Sequence, residues 1–325
     1  FRADFSNSTP QAPFYWRSMV HEEFTDQSWK ITQQAKLSKS RPLENDKIKY
    51  NYDIIAEKSG LHWLYALDYG RSSTQFVDNK YAGLLARQKN LSQTFKYRVS
   101  SFDLNNIDKL SDYEKNTNLA LTPHSNPNTV GVAQQIKQNS ISDEMFFNDL
   151  YQYFIKQQFV YTLEPPALYG NNKLDQFLLE SKRGFCGHYA SLSAFMFRSV
   201  GIPARVVSGY LGGELSEDGG YLSVFQYDAH AWTEVWLEKT GWTRFDATSV
   251  VSPDRLYGSL SQSEANKEEF LRNLNFGLLS LQHFPMLNWV RLNLDNIDFM
   301  WTNWILGFNA QEQQGLLKRK ESLSI

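Results

Sequence analysis

The chain is predicted to adopt an α+β fold, on three observations. Short β-branched and aromatic runs with partial alternation fill residues 1 to about 110. A strongly amphipathic helix follows near residue 145. A later block reads as one helix and then three strand-like runs.

The first part reads as a small antiparallel β domain. KIKYNYDIIAE (Lys47 to Glu57) is β-branched and aromatic, HWLYALDYG (His62 to Gly70) is an apolar run stopped by glycine, and TFKYRVSSF (Thr94 to Phe102) alternates again. His21 and His62 lie far apart, with no partners at a recognisable spacing, so nothing here reads as catalytic. Residues 111 to about 130 are polar and hold Pro123, Asn126, Pro127 and Asn128, the composition of a connection. SDEMFFNDLYQYFIKQ is then a helix. Ser142 is its N-cap, Asp143 and Glu144 suit the positive end of the helix dipole, and Phe146, Phe147, Leu150 and Phe154 share a face. Pro165 and Pro166 cannot continue it.

Lys173 to Leu179 is short and amphipathic. HYASLSAFMFRSV is helical, with Leu192, Phe195, Met196 and Ser199 on one side, and Gly201 and Pro203 stop it. Cys186 therefore sits at or just before a helix N-terminus. ARVVSGYLGG, DAHAWTEVWLE and GWTRFDAT read as strands, with turns at Glu217–Gly220 and Leu237–Trp242. Residues 262–325 read as interrupted helix. Trp289, Trp301 and Trp304 there either pack on the body of the protein or form an interfacial belt near a membrane. The expected division is an N-terminal β-rich domain at 1–115, a core at 116–261 and a C-terminal helical segment at 262–325.

The chain has 325 residues, 42% hydrophobic and 15% aromatic, enough for sizeable cores. A net charge of −2 without long charged runs gives nucleic-acid binding no support. A single cysteine excludes an internal disulfide framework and a cysteine-rich zinc site. No His pair has ligand spacing and no acidic calcium-type loop is present, so neither metal nor cofactor is expected. No apolar run approaches the roughly 20 residues that cross a bilayer. With no initiator Met and no signal peptide, the chain reads as a soluble piece of a larger protein.

The one cysteine lies in RGFCGHYAS, Arg183 to Ser191. A helix N-terminus lowers a thiol pKa, and its free amides, those of Cys186 and Gly187, can bind an oxyanion. A thiolate nucleophile needs an imidazole, oriented by a third group. His188 follows by two positions, about 200° around a helix, and cannot easily face the thiol. Its expected role is packing or a hydrogen bond to the frame. His230, in the strand-like DAHAWTEVW, is the better partner. Asp246, sixteen residues on, lies across from His230 if the hairpin loop has about five residues and diagonally across with about three; both keep the pair on one face.

SKRGFCGHYASLSAFMFRSVGIPARVVSGY, DAHAWTEVWLE and GWTRFDAT together resemble the core of the bacterial transglutaminase-like superfamily, over roughly residues 125 to 260. FVYTLEPPALYG and WTNWILGFNAQEQQGLL extend the likeness to the periplasmic part of membrane-bound members of the TgpA type; the first hundred residues match more loosely. The resemblance implies a papain-like core, a nucleophile helix packed on an antiparallel sheet. It implies Cys186 as nucleophile, His230 as its partner and Asp246 as orienter. It also implies a second oxyanion donor upstream, for which Tyr161 is the candidate, and a periplasmic domain flanked by membrane helices outside this sequence. Trp232 and Trp242 either wall an acyl slot or belong to the core. Glu234 either binds an amine or is structural.

The expected function is acyl transfer from a protein or peptide glutamine carboxamide, through a thioester, to an amine. Two alternatives share these residues: a cysteine peptidase or amidase in which water resolves the thioester, and a non-catalytic peptide-binding module.

Overall fold

The computed structural model describes residues 1–5, 10–25, 28–40, 47–103, 110–216 and 220–253. Residues 262–325 with Trp289, Trp301 and Trp304, and most of the Glu217–Gly220 turn, lie outside the described residues.

YWRSMVH forms a strand, Tyr15–His21, with every residue buried, as expected of a strand covered on both faces. It pairs antiparallel with Ala204–Leu211 on one side and Ala66–Leu67 on the other. Ala229–Leu237 and then Gly241–Phe245 complete a five-stranded sheet. A six-stranded sheet runs Glu214–Leu215, Leu222–Ser223, Arg2–Asp4, Tyr50–Ala56, Phe95–Phe102, Tyr69–Arg71. Hydrogen-bonded strands thus cross the expected boundary at residue 115 in both directions: Tyr15–His21 into the later sheet, Leu222–Ser223 into the earlier one. The single run expected at His62–Gly70 supplies a strand to each sheet. Asp68, at φ 55°, turns the chain between them, a conformation that Asp tolerates better than most residues.

The polar connection expected at residues 111–130 holds two helices. Asp112–Leu119 is started by a capping box: the Ser111 side chain accepts from the Glu114 N–H, and the Glu114 carboxylate accepts from the Ser111 N–H. Pro127–Asn139 begins at its proline, which suits a first helical turn. The amphipathic helix spans Asp143–Lys156, capped by Ser142, with Phe146, Leu150 and Phe154 buried. Each such aromatic or leucine contributes about 1.5–3 kcal/mol on burial.

The helix Cys186–Ser199 packs on the five-stranded sheet, and Thr233 donates its hydroxyl to the Ala190 carbonyl. The far end of this helix is fixed by Arg198. Its guanidinium, a cation at the negative end of the dipole, donates to the carbonyls of Ala204, Ala120 and Glu22 at 2.7, 2.8 and 2.6 Å. Gly201, at φ 82°, closes the helix as expected.

Two features of the five-stranded sheet set its tolerance to change. The register with Tyr15–His21 shifts between Ser208 and Gly209, and a Cβ on Gly209 would lie 1.8 Å from the Trp16 carbonyl oxygen. Glu234 is fully buried and held by Arg17 and by Arg205, whose Nε lies 3.0 Å away. Burial alone would raise the Glu234 pKa; the two guanidiniums outweigh it and lower it. Gly209→Ala is expected to cost about 2–3 kcal/mol through backbone displacement, read by chemical denaturation. Glu234→Gln, which strands two buried guanidiniums, is expected to cost about 3–5 kcal/mol in the same measurement.

Candidate active site

Cys186 is the first residue of its helix, where amides without intrahelical partners and the helix dipole favour negative charge. Its approach is rigid. Arg183–Gly184 pairs in parallel with Val160–Tyr161, which places Tyr161 opposite Gly184. A Cβ on Gly184 would meet the His188 side chain at 2.8 Å, so the two pack tightly. His188 stays within this frame. Its Nδ1 accepts the Phe185 N–H at 3.4 Å, its ring meets Phe185 edge-on at 4.3 Å, and burial pushes its pKa down to about 3.

His230 stands in the strand Ala229–Leu237, neighbour to the hairpin partner Gly241–Phe245. The loop between them has three residues, 238–240, and the register opposes Glu234 to Arg244 and Thr233 to Phe245. Continued one step, that register makes Asp246 the diagonal neighbour of His230. The His230 Nε2 to Asp246 Oδ2 distance is 2.8 Å.

With Nε2 turned to Asp246, Nδ1 is the ring nitrogen left for Cys186, and no other partner meets it among the described residues. Burial would lower the imidazole pKa. The Asp246 carboxylate and then the Cys186 sulfur, by hydrogen bond and charge, outweigh burial and raise it to about 9. Asp246 moves the other way: burial would raise its pKa, and His230, Tyr15 and the Thr248 N–H together lower it. The electrostatics therefore favour imidazolium at His230 beside carboxylate at Asp246 at neutral pH. Cys186 and His230 have no exposed surface and Asp246 has 3%, so the array lies beneath the surface.

Of the other residues singled out from sequence, Tyr161 is buried, its ring parallel to that of Tyr189 at 6.4 Å. Gly187 is buried within the first turn of the helix. Trp232, 1% exposed, stacks near His230 at 6.3 Å and meets Tyr15 edge-on at 5.2 Å. Trp242 is equally buried, with the Arg205 guanidinium 3.7 Å from its ring centre. Glu234 is occupied by its two arginines.

Two residues at the site were not found from sequence. The Tyr15 hydroxyl donates to Asp246 Oδ2 at 2.8 Å, and the Tyr151 hydroxyl accepts the Asp246 backbone N–H at 2.8 Å. Tyr15 stands in a strand buried on both faces, where alternation is lost, and Tyr151 lies beside the apolar face of its helix. Among the described residues no group of three or more His, Cys, Asp or Glu is arranged to hold a metal ion. No helix among them is long and apolar enough to cross a membrane.

A helix that begins at a cysteine, laid on an antiparallel sheet that ends in a His–Asp pair, defines an α+β fold of the transglutaminase-like kind. Comparison with known proteins agrees. Residues 131–247 match the family model for the transglutaminase-like superfamily, and residues 1–108 match that for the TgpA N-terminal domain. The chain is 34% identical, over 98% of its length, to a Pseudomonas aeruginosa protein named protein-glutamine gamma-glutamyltransferase, and it spans 48% of that protein. The crystal structure of the periplasmic domain of TgpA from Pseudomonas aeruginosa matches 81% of this chain and 91% of its own, at 34% identity and a TM-score of 0.75. The same domain bound to ethylmercury matches 78% and 91%, at 36% identity and a TM-score of 0.70. The chain belongs to the transglutaminase-like superfamily, in the TgpA type.

The raised imidazole pKa has a measurable consequence. Because the folded-state value lies above the ordinary 6.5, the stability from the charged ring is complete below about 6.5 and is lost as pH rises through about 9. NMR titration of His230 is expected to give a midpoint near 9, moving toward 6.5 in Cys186→Ala, which removes one of the charges holding the proton.

Proposed function

We propose that this domain catalyses acyl transfer from protein- or peptide-bound glutamine to a primary amine, with Cys186 as nucleophile, His230 as proton carrier and Asp246 as orienter. The thiolate attacks the carboxamide carbon, and the amides of Cys186 and Gly187 receive the oxyanion. Tyr161 is proposed as a further, side-chain donor from upstream, and the Trp232 ring lies near His230 as lining of the site. The C–N bond breaks, His230 gives its proton to the leaving ammonia, and a thioester remains. Neutral His230 then takes a proton from the incoming amine as its nitrogen attacks the thioester. Collapse forms the new amide and returns the thiolate.

The observation that carries this reading is one imidazole bound to Asp246 at 2.8 Å and acted on by a sulfur at a helix start. The name of the Pseudomonas relative supports glutamine as acyl donor. The presence of all three side chains counts against a non-catalytic peptide-binding module. The reading includes three parts, 1–115, 116–261 and 262–325, and a periplasmic location with a membrane anchor outside this sequence. The periplasmic origin of both similar crystal structures supports that location.

Mass spectrometry of a glutamine peptide mixed with a primary amine is the test. The peptide is expected to gain the amine's mass and lose that of ammonia, and Cys186→Ala is expected to slow this by about 10,000-fold or more. Deamidation or cleavage alone would identify a hydrolase. Unreduced turnover in Cys186→Ala would refute the assignment of the nucleophile.

A further inference from the structure

The acyl-transfer reading leaves open what Tyr15 does, and the inference drawn here rests on that reading. Tyr15 belongs to the N-terminal segment, yet its hydroxyl lies 2.8 Å from Asp246 Oδ2, the same oxygen that His230 Nε2 meets at 2.8 Å. We propose that Tyr15 is a positioning residue of the reaction: its hydroxyl holds the Asp246 carboxylate in place and takes up part of its charge, so that the N-terminal segment sets how firmly His230 keeps its proton.

The geometry fixes the phenol on all sides. Trp232 meets its ring edge-on at 5.2 Å, and the Arg244 guanidinium lies 3.8 Å from its ring centre. Arg244 is itself held by Asp68 at 2.7 Å. Asp246 Oδ1 accepts the Thr248 N–H at 3.0 Å, so the carboxylate has no freedom to turn from His230. Burial and then the charge of Asp246 raise the Tyr15 pKa, which keeps the phenol a donor throughout the working range.

The other charged or titratable groups around this pair are distinct in position. Cys186 acts from the helix through the far side of the His230 ring. Arg244 acts from the adjoining strand, with Asp68 behind it. Tyr151 reaches the Asp246 backbone from the helix Asp143–Lys156. Glu234, with Arg17 and Arg205, lies further along the sheet. A hydrogen bond to a carboxylate disperses its charge, and dispersed charge holds a neighbouring proton less firmly. Tyr15 therefore moderates the Asp246–His230 pair while keeping it aligned.

The experiment is titration of His230 by imidazole NMR without substrate, together with kcat/KM against pH, in Tyr15→Phe and Tyr151→Phe. Tyr15→Phe keeps the ring and its contacts. Its His230 titration and the alkaline limb of its activity are expected to move upward by about half a unit or more, and kcat/KM to fall about tenfold. Tyr151→Phe, which keeps the ring and removes a hydroxyl that meets the Asp246 backbone N–H rather than its carboxylate, is expected to leave both titrations in place. In a second arm, 3-fluorotyrosine replaces all 17 tyrosines of the otherwise unchanged chain. Its more acidic phenol donates more strongly, and the titration is expected to move downward. The fluorinated protein decides the matter alone if Tyr15→Phe does not fold. An unmoved titration in both Tyr15→Phe and the fluorinated protein, or an equal movement in Tyr151→Phe, would overturn the proposal. The NMR titration needs no turnover, so it tests Tyr15 even if Cys186→Ala shows the acyl-transfer reading to be wrong.

Discussion

A carboxylate with 3% of its surface in water has to be met by donors, and the Asp246 carboxylate imposes that requirement on the whole site. An unpaired buried charge costs several kcal/mol, more than the net gain of any one hydrogen bond. The chain answers with the nearby Thr248 N–H and with Tyr15 and His230 from other strands on the carboxylate, and with Tyr151 on the backbone. Satisfying this one group brings together the strand Tyr15–His21, the hairpin that carries His230 and Asp246, and the helix Asp143–Lys156. The donors prevail over desolvation, since the Asp246 pKa is lowered despite burial.

The same contest is decided in the same direction at Glu234 and at His230. Burial alone would neutralise each, and in each a neighbouring opposite charge outweighs it. His188 is the control within the same molecule. It is buried as deeply, without a carboxylate to compensate, and its pKa falls to about 3. Two equally buried histidines, His188 on the helix that Cys186 begins and His230 on the sheet beneath it, are thus set apart by the charges around them. One is held neutral as part of the frame, and the other holds a proton beside a sulfur at a helix start. Burial also strengthens the interaction of the charges that do survive, because little water remains to screen them.

The later half of the chain was the legible half. The helix start at Cys186, its stop at Gly201 and the three strands after it follow from local pattern, and the observed three-residue hairpin loop selects the diagonal register for His230 and Asp246. The helices Asp112–Leu119 and Pro127–Asn139 were obscured by their polar composition. Ser111 and Glu114 cap the first, and Pro127, a residue that reads as a breaker, opens the second. The strand Tyr15–His21 was obscured for the opposite reason: burial of both faces removes the alternation by which a strand is recognised. Its polar members, Arg17, Ser18 and His21, look like surface in sequence. Arg17 is buried because it neutralises Glu234, a residue 217 positions away that no local pattern connects to it.

Exchange of strands between the early and late parts of the chain gives the site its rigidity. If Tyr15–His21 were removed, the strand Ala204–Leu211 would become an edge with unpaired amides and carbonyls, Glu234 would lose one of its two guanidiniums, and Asp246 would lose a donor. In the other direction, Leu222–Ser223 covers Arg2–Asp4, which Tyr50–Ala56 covers on its far side. Each part thus completes a sheet that the other begins, and the losses fall on the backbone ladder, the buried ion cluster and the carboxylate at once. The residues that match the TgpA N-terminal domain are, on these grounds, as much a part of the site's architecture as the helix that carries Cys186.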